Sequence, residues 1–228
     1  MKKVIVIGAS RGIGKELSLR LANENVHTIA TLRNLEAAVD ELKTNSNVHL
    51  QALDIKDETS VRQFFSNLED FNEVGALVFV AGVGSFGDFV DLDTEAYDHM
   101  FDTNVKGLYL VAREFLKAMP SLGCRFICIS SDVSARGIAK GALYSSTKHA
   151  QRAMLRSLQM EYRDRIQFTE IRPGNVATNF AGNEGLEIGD LNLSPEDVVD
   201  AILYVLYQAA RVRVDEIVIR PNSRDIEY

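Results

Sequence analysis

The sequence predicts an α/β protein built on a doubly wound parallel β-sheet, because short apolar runs alternate with amphipathic helices along the chain. The β-branched run Lys3–Ile7 has the pattern of a buried parallel strand. Directly after its glycine turn, Ile13, Leu17 and Leu21 recur at helical spacing. Further strands are predicted at 26–31, 48–53, 76–80, 124–130, 166–171 and 216–221.

Helices are predicted between these strands. They cover 15–22, a stretch near 35–43, 58 to about 68, a polar stretch from about 94, a longer helix to about 119, 144 to about 162, and 195 to about 210. Asn34, Asp57 and Ser194 stand where helices begin and are predicted N-caps, and Pro195 follows Ser194 at the first helical position. Pro120 is expected to end the helix before it.

Composition limits the classes of protein that fit. A chain of 228 residues suits a single domain over 1–228, and the net charge of −7 argues against nucleic acid or an anionic membrane as partner. Neither a signal peptide nor a transmembrane run is recognisable in the sequence. These features predict a cytoplasmic protein.

The two cysteines and four histidines suggest neither a disulfide nor a metal site. Cys124 and Cys128 lie on one predicted strand, about 13 Å apart. A disulfide needs Cα atoms within about 7 Å, so both are predicted to be buried free thiols in a reducing compartment. The histidines are scattered without ligand spacing, and no metal site is predicted.

The turn after the first strand is rich in glycine and reads Gly8-Ala9-Ser10-Arg11-Gly12-Ile13-Gly14. Glycines allow a tight turn and a close backbone approach, and the following helix directs free N–H groups at a phosphate. A strand-to-helix turn without a ligand is the alternative interpretation.

The end of the second strand indicates which dinucleotide is bound. Leu32 and Arg33 stand where an acidic residue would hold a free ribose 2′-hydroxyl, and Arg11 adds a cation on the same side. A guanidinium pairs well with a phosphate, so NADP(H) is favoured over NAD(H). In the alternative interpretation Arg33 is a solvated loop charge.

A second group of residues has the pattern of proton-transfer chemistry. Tyr144 and Lys148 lie at i and i+4 on one helical face, and Ser131 precedes Tyr144 by 13 residues. An ammonium nearby lowers the pKa of a phenol from about 10, so the phenol can exchange a proton with a substrate oxygen that a serine holds. Ser130 and Ser134 are neighbouring alternatives to Ser131.

This order of motifs, with its G-x-x-x-G-x-G turn, resembles the short-chain dehydrogenase/reductase family over almost the whole chain. The resemblance implies a Rossmann-type sheet of seven parallel strands in the order 3-2-1-4-5-6-7, with helices on both faces. It also implies a homodimer or homotetramer formed through helices 105–119 and 143–162 and the last strand.

The resemblance assigns roles to residues of this chain. Asn104 would bend its helix and hold a water of a proton relay, completing the catalytic set Asn104, Ser131, Tyr144 and Lys148. The implied cofactor-binding residues are Gly8, Ser10, Arg11, Gly12, Ile13, Gly14, Arg33, Asp54, Ile55, Ala81, Gly82, Asn104, Tyr144, Lys148, Pro173, Gly174, Val176 and Thr178. The chain departs from the family pattern at Phe79-Val80, where the family usually has two asparagines.

These inferences favour an NADP(H)-dependent oxidoreductase that reversibly reduces a carbonyl or oxidises an alcohol of a small molecule. Two other classes are weighed: a non-catalytic NADP(H)-binding sensor or regulator, and a methyltransferase with a similar glycine loop. Neither needs the serine, tyrosine and lysine set.

The sequence also offers candidate residues for a substrate pocket. Candidate pocket residues are Phe86, Phe89, Val133, Arg136, Leu143 and Phe180. The two phenylalanines of the 84–89 loop either wall the pocket or pin the loop. Arg136 either binds a substrate carboxylate or is a solvated charge. The glycine-punctuated segment 179–192 is expected to form a mobile lid.

Overall fold

The computed structural model describes residues 2–69, 71–118, 123–178, 180 and 191–222. Its seven strands are Lys3–Ile7 (β1), Thr28–Leu32 (β2), Val48–Ala52 (β3), Val74–Phe79 (β4), Cys124–Ile129 (β5), Ile166–Pro173 (β6) and Glu216–Ile219 (β7). They form one sheet in the order β3-β2-β1-β4-β5-β6-β7, and every neighbouring pair is parallel. The predicted fold and strand order are confirmed.

The helices are Gly12–Asn23 (α1), Asp40–Thr44 (α2), Glu58–Ser66 (α3), Thr94–Met100 (α4), Gly107–Ala118 (α5), Ala142–Glu161 (α6) and Pro195–Leu206 (α7). A π-helical segment, Phe101–Lys106, joins α4 to α5. The predicted N-caps are confirmed: the side chains of Asn34, Asp57 and Ser194 accept backbone N–H groups. No helix among the described residues is long and apolar enough to cross a membrane.

Two predicted helix boundaries are wrong. The helix expected near 35–43 is instead a 3₁₀ turn over Leu35–Ala37 followed by α2. The Asn34 side chain accepts the N–H of Glu36 and tightens the turn, and Ala38 and Val39 adopt extended backbone before α2 begins. The last helix ends at Leu206, not near 210. There the Gln208 carbonyl accepts a hydrogen bond from Arg125 on β5, so this part of the backbone bonds to the sheet.

The core has two layers, one on each face of the sheet. Along β1, Ile5 and Ile7 face one layer, and Val4 and Val6 face the other. The first layer packs against residues of α3, α5 and α6, including Val61, Phe64, Leu108, Phe115 and Leu155. The second packs against residues of α1 and α7, including Leu17, Leu21, Val198 and Ile202. Both cysteines are buried as free thiols, as predicted.

Candidate functional site

A cavity of about 860 Å³ opens at the carboxyl ends of the strands, where the order reverses between β1 and β4. Parallel α/β sheets bind ligands at this edge. Its wall includes these predicted site residues: Gly8, Ser10, Arg11, Gly12, Ile13, Arg33, Asp54, Ile55, Ala81, Gly82, Ser131, Tyr144, Lys148, Pro173, Gly174, Val176 and Thr178. Gly14 and Asn104 do not line the wall. Gly14 lies inside the turn, and the Asn104 side chain is fully buried.

The glycine loop is as tight as its sequence predicts. Gly8 has φ +96°, and a Cβ there would lie 2.8 Å from the backbone nitrogen of Ala81. A Cβ on Gly14 would lie 2.1 Å from the carbonyl oxygen of Gly8, so this position takes glycine alone. Helix α1 begins at Gly12, and its N-cap residue Arg11 makes no side-chain capping bond. The Arg11 side chain therefore does not block the N–H groups at the start of α1.

Two arginines line the cavity at the glycine loop and after β2. Among the residues that follow β2, Arg33, Asn34 and Ala37 line the cavity, whereas Glu36 does not. Arg11 lies on the same wall. The geometry therefore provides two guanidinium groups and no carboxylate from this loop.

Tyr144 and Lys148 lie at the other end of the same cavity, on α6. The Lys148 amine is 5.6 Å from the centroid of the Tyr144 ring, and the two residues are only 3% and 8% exposed, respectively. Burial raises the pKa of Tyr144 above its ordinary value, and a hydrogen bond with the Ser131 side chain opposes that rise. Burial lowers the pKa of Lys148 to about 8. Both groups are thus biased toward their neutral forms.

The structure separates Ser131 from its two serine neighbours. The hydroxyls of Ser130 and Ser134 both donate to the Glu170 carboxylate, at 2.6 and 3.0 Å. Ser131 has its hydrogen bond with Tyr144 and accepts the N–H of Val133 at 3.3 Å. Ser131 is therefore the serine hydroxyl beside the phenol.

Asn104 lies in the π-helical segment, and its side chain is engaged by other parts of the protein. Its amide oxygen accepts the Val83 N–H at 2.9 Å, and its amide nitrogen donates to the Val83 carbonyl at 2.8 Å and to Thr147 at 3.0 Å. Its backbone carbonyl accepts the Gln151 side chain at 2.7 Å. Its relay role remains a prediction, and its observed contacts pin the loop after β4 to the π-helical segment.

The Phe79-Val80 departure leaves no gap in the hydrogen bonding at this point. Phe79 is fully buried in the core at the end of β4. The N–H groups of Val80 and Ala81 both donate to the carbonyl of Ile7, each at 2.9 Å. Backbone bonds therefore hold the end of β4 against β1 where the family usually has asparagine.

The substrate end of the cavity is mainly aromatic and aliphatic. The rings of Phe86 and Phe180 lie 5.2 and 5.8 Å from the Tyr144 ring, centroid to centroid. Val133 and Ile138 add aliphatic wall. Of the predicted segment 179–192, the structure describes only Phe180, Leu191 and Asn192, so the expected lid lies outside the described residues.

Two predicted pocket residues lie off the cavity wall, and a third lines it but is paired. Phe89 is 67% exposed and does not line the cavity. Leu143 also lies off the wall and packs behind Tyr144. Arg136 does line the cavity but is paired with Asp132 at 2.8 Å, so it is not the solvated charge that one interpretation expects.

Several residues at the site are not predicted from the sequence. The wall also includes Thr31, Asn34, Lys56, His99, Thr103 and Ile138. The Thr31 hydroxyl accepts the N–H of Gly8 at 3.3 Å, which ties the glycine loop to β2. Gln151 bonds to Lys148 behind the wall. Its position three residues after Lys148, on the same helical face, is the signal that could have identified it.

Comparison with known proteins agrees with this geometry. A family model described as short chain dehydrogenase matches residues 2–188. An uncharacterised oxidoreductase from Staphylococcus haemolyticus is 31% identical over 226 residues, covering 95% of this chain and 96% of its own. A sepiapterin reductase from Chlorobaculum tepidum is 28% identical over 242 residues, covering 100% and 99%.

The fold comparison leads to the same family. An alcohol dehydrogenase from the archaeon Thermococcus sibiricus, solved in complex with 5-hydroxy-NADP, superimposes with a TM-score of 0.91. The two chains are 32% identical, and each is covered completely. Since the family model, the curated relatives and the solved fold agree with the strand order and the motifs, this chain belongs to the short-chain dehydrogenase/reductase family of oxidoreductases.

Proposed function

We propose that this protein is an NADP(H)-dependent oxidoreductase that reversibly reduces a carbonyl, or oxidises an alcohol, of a small molecule. One observation carries the proposal. A single cavity joins the glycine loop and two arginines at one end to Ser131, Tyr144 and Lys148 at the other. Such a site can bind a dinucleotide and hold a reacting oxygen beside a proton donor.

The residues at the loop end fit NADP(H). Gly8 and Gly12 line the cavity, so the loop backbone can approach a pyrophosphate closely, and the start of α1 offers N–H groups and a positive dipole end. Arg11 and Arg33 would hold the 2′-phosphate. Val176 and Thr178 would contact the nicotinamide end. The bound cofactor supplies the hydride, and the Thermococcus relative bound to an NADP derivative supports this assignment.

At the other end, Ser131 and Tyr144 would act on the substrate oxygen. The Ser131 hydroxyl would orient the carbonyl oxygen and stabilise its developing negative charge. Tyr144 would donate its phenolic proton to that oxygen during reduction and accept a proton from the alcohol during oxidation. The ammonium of Lys148 would stabilise the phenolate, because an adjacent positive charge favours the ionised form.

The walls favour a neutral, mainly apolar substrate. Phe86, Phe180, Val133 and Ile138 surround the space beside Tyr144. Arg136, the arginine that lines this end, is paired with the Asp132 carboxylate. We infer that uncharged aryl or alkyl ketones and aldehydes are better substrates than keto acids.

The test is NADPH oxidation against a panel of neutral ketones, aldehydes and keto acids, with Tyr144→Phe as the control. We expect turnover with neutral carbonyls and a fall of about 10²- to 10⁴-fold in kcat for the variant, the usual contribution of a general acid. NADPH binding, followed by its fluorescence, should survive the substitution. Binding without turnover across the panel would instead favour a non-catalytic NADP(H)-binding protein.

A further inference from the structure

Gln151 forms a direct link between the amine of Lys148 and the backbone of the π-helical segment. The side chain is fully buried on α6, one turn after Lys148. Its amide oxygen accepts from the Lys148 amine at 3.0 Å. Its amide nitrogen donates to the carbonyl of Asn104 at 2.7 Å. One side chain therefore connects two members of the predicted catalytic set.

Glutamine suits this position because its side-chain amide can both accept and donate a hydrogen bond. Its carbonyl end accepts only, which matches an ammonium that donates only, and its NH₂ end matches a backbone carbonyl. A bond to a charged group is stronger than a neutral one, so the acceptor stabilises the charged form of the lysine. The family resemblance implies that Asn104 holds a water of a proton relay. In this structure the side chain of Gln151 bonds to the backbone carbonyl of Asn104.

We infer that Gln151 is a positioning residue: it fixes the direction of the Lys148 amine and stabilises its charged form, an inference that rests on the proposed function only for its effect on turnover. The Asn104 side chain cannot do this, because Val83 and Thr147 engage it. The amine's link to the π-helical segment therefore depends on Gln151.

Other groups near the amine are accounted for. Cys128 on β5 is a buried thiol whose pKa burial raises to about 12, so it is neutral near pH 7. Glu170 on β6 favours the charged amine, while burial opposes it and lowers the pKa of Lys148 to about 8. Glu170 is shared with Ser130, Ser134 and Arg152, so it acts at a distance. These groups come from the two strands behind α6.

The charged groups on the remaining neighbouring elements pair with one another or line the cavity wall. On the π-helical segment, Asp102 and Lys106 pair with each other at the surface, 3.5 Å apart. His99 of α4 lines the cavity. Asp132, in the turn after β5, is paired with Arg136. Among the described residues, Gln151 is thus the neutral group that bonds the amine directly.

The experiment titrates the Lys148 amine in the cofactor-free protein, using ¹³Cε-labelled lysine and NMR. The Lys148 resonance is identified by its loss in Lys148→Arg. Gln151→Met keeps the shape of the side chain but removes both hydrogen bonds. We expect its titration midpoint to fall by about one pH unit, since the charged form loses its acceptor. We also expect kcat to fall about 10-fold with little change in the KM of the carbonyl substrate.

Gln159→Met is the matched control. Gln159 is buried on the same helix and donates to the carbonyls of Phe168 and Asp215, away from Lys148. Its substitution should lower the melting temperature without moving the Lys148 midpoint. An unchanged midpoint in Gln151→Met, with only a lower melting temperature, would mean that Gln151 is merely structural and would overturn the inference.

A second variant keeps the test decisive if Gln151→Met does not fold. Gln151→Glu retains an acceptor and adds a negative charge beside the amine, so the midpoint should rise above that of the parent protein. A midpoint at or below the parent value would overturn the inference. Because the titration needs no turnover, an inactive parent protein would contradict the proposed function while leaving the result for Gln151 readable.

Discussion

The amine of Lys148 lies 5.6 Å from the centre of the Tyr144 ring, with both residues almost fully removed from solvent. Burial opposes ionisation of each group alone: it raises the pKa of the phenol and lowers that of the amine. Each charge stabilises the other, however, because a phenolate and an ammonium attract strongly in a medium of low dielectric constant. We therefore expect the ionisation of the two side chains to be coupled.

Lys148→Met should shift the pH dependence of alcohol oxidation. In that direction Tyr144 must be ionised to accept a proton. A unit charge at about 6 Å, in an effective dielectric constant of about 20, contributes on the order of 3 kcal/mol, or about two pH units. Removing the ammonium raises the pKa of Tyr144. The acidic limb of the pH profile of kcat for alcohol oxidation should therefore move to higher pH by about one to two units.

The pH–rate profile of Lys106→Met provides the comparison for this shift. Lys106 is an exposed lysine paired with Asp102 at 3.5 Å, away from the phenol. Its profile should overlie that of the parent protein. If Lys148→Met lowered the rate equally at every pH, the ammonium would not act through the ionisation of Tyr144.

Lys148→Met should also stabilise the protein at neutral pH. The folded pKa of about 8 lies below the ordinary lysine value of 10.5, so the folded state disfavours the proton that the unfolded chain holds. Below pH 8 this penalty is fully present, and it disappears as pH rises toward 10.5. Urea denaturation should therefore show Lys148→Met more stable by up to about 3 kcal/mol at pH 7 and by clearly less at pH 10. A pH-independent difference would exclude this origin.

The two phenylalanines of the 84–89 loop should separate by function. Phe86 lines the cavity with its ring 5.2 Å from that of Tyr144, whereas Phe89 is 67% exposed. Phe86→Ala removes apolar contact with the substrate and should raise the KM for an aryl ketone about 10-fold. Phe89→Ala serves as the matched control and should leave KM within about 2-fold. Equal effects of the two substitutions would indicate that the loop conformation, not the ring of Phe86, matters.

Local sequence was sufficient to predict the α/β class and the caps, whereas the strand order was predicted from the family resemblance. The alternation of apolar strands with amphipathic helices determines which faces are buried, and Asn34, Asp57 and Ser194 act within two or three residues of themselves. The glycine loop is equally local, since the clash that excludes a side chain at Gly14 involves the carbonyl of Gly8. Such features depend on neighbours that the sequence displays.

Long-range partners could not be predicted in this way. Ser130 and Ser134 are distinguished from Ser131 by Glu170, which is 40 residues beyond Ser130 in the chain. Asp132, which pairs with the nearby Arg136, also accepts from Arg220, 88 residues farther along the chain. The bonds to Glu170 and Arg220 depend on how β5, β6 and β7 lie side by side, and a single sequence does not give the side-chain directions at their ends.

The oligomeric state is expected from the family resemblance and from exposed apolar side chains. Tyr109 on α5 and Met160 on α6 are 47% and 78% exposed, and these are the helices expected to pair between subunits. Light scattering after size exclusion should give the mass of a dimer or tetramer. Met160→Lys should weaken that assembly, while Tyr204→Lys on α7 should not. A monomer mass for the parent protein would contradict the expectation.

Arg11 and Arg33 should decide the preference for NADPH over NADH. Both arginines line the cavity, and Glu36 of the turn after β2 does not. A charge-assisted bond to a phosphate contributes about 1.5–3 kcal/mol, so Arg33→Gln should raise the KM for NADPH about 10- to 100-fold. The KM for NADH should change little, because NADH carries no 2′-phosphate for the guanidinium to bind. Arg62→Gln, at an exposed arginine paired with Glu58, controls for loss of a surface charge. If Arg33→Gln raised the KM for both cofactors equally, Arg33 would support the loop and would not bind the 2′-phosphate. Arg11→Gln would then test whether the Arg11 guanidinium alone distinguishes NADPH from NADH.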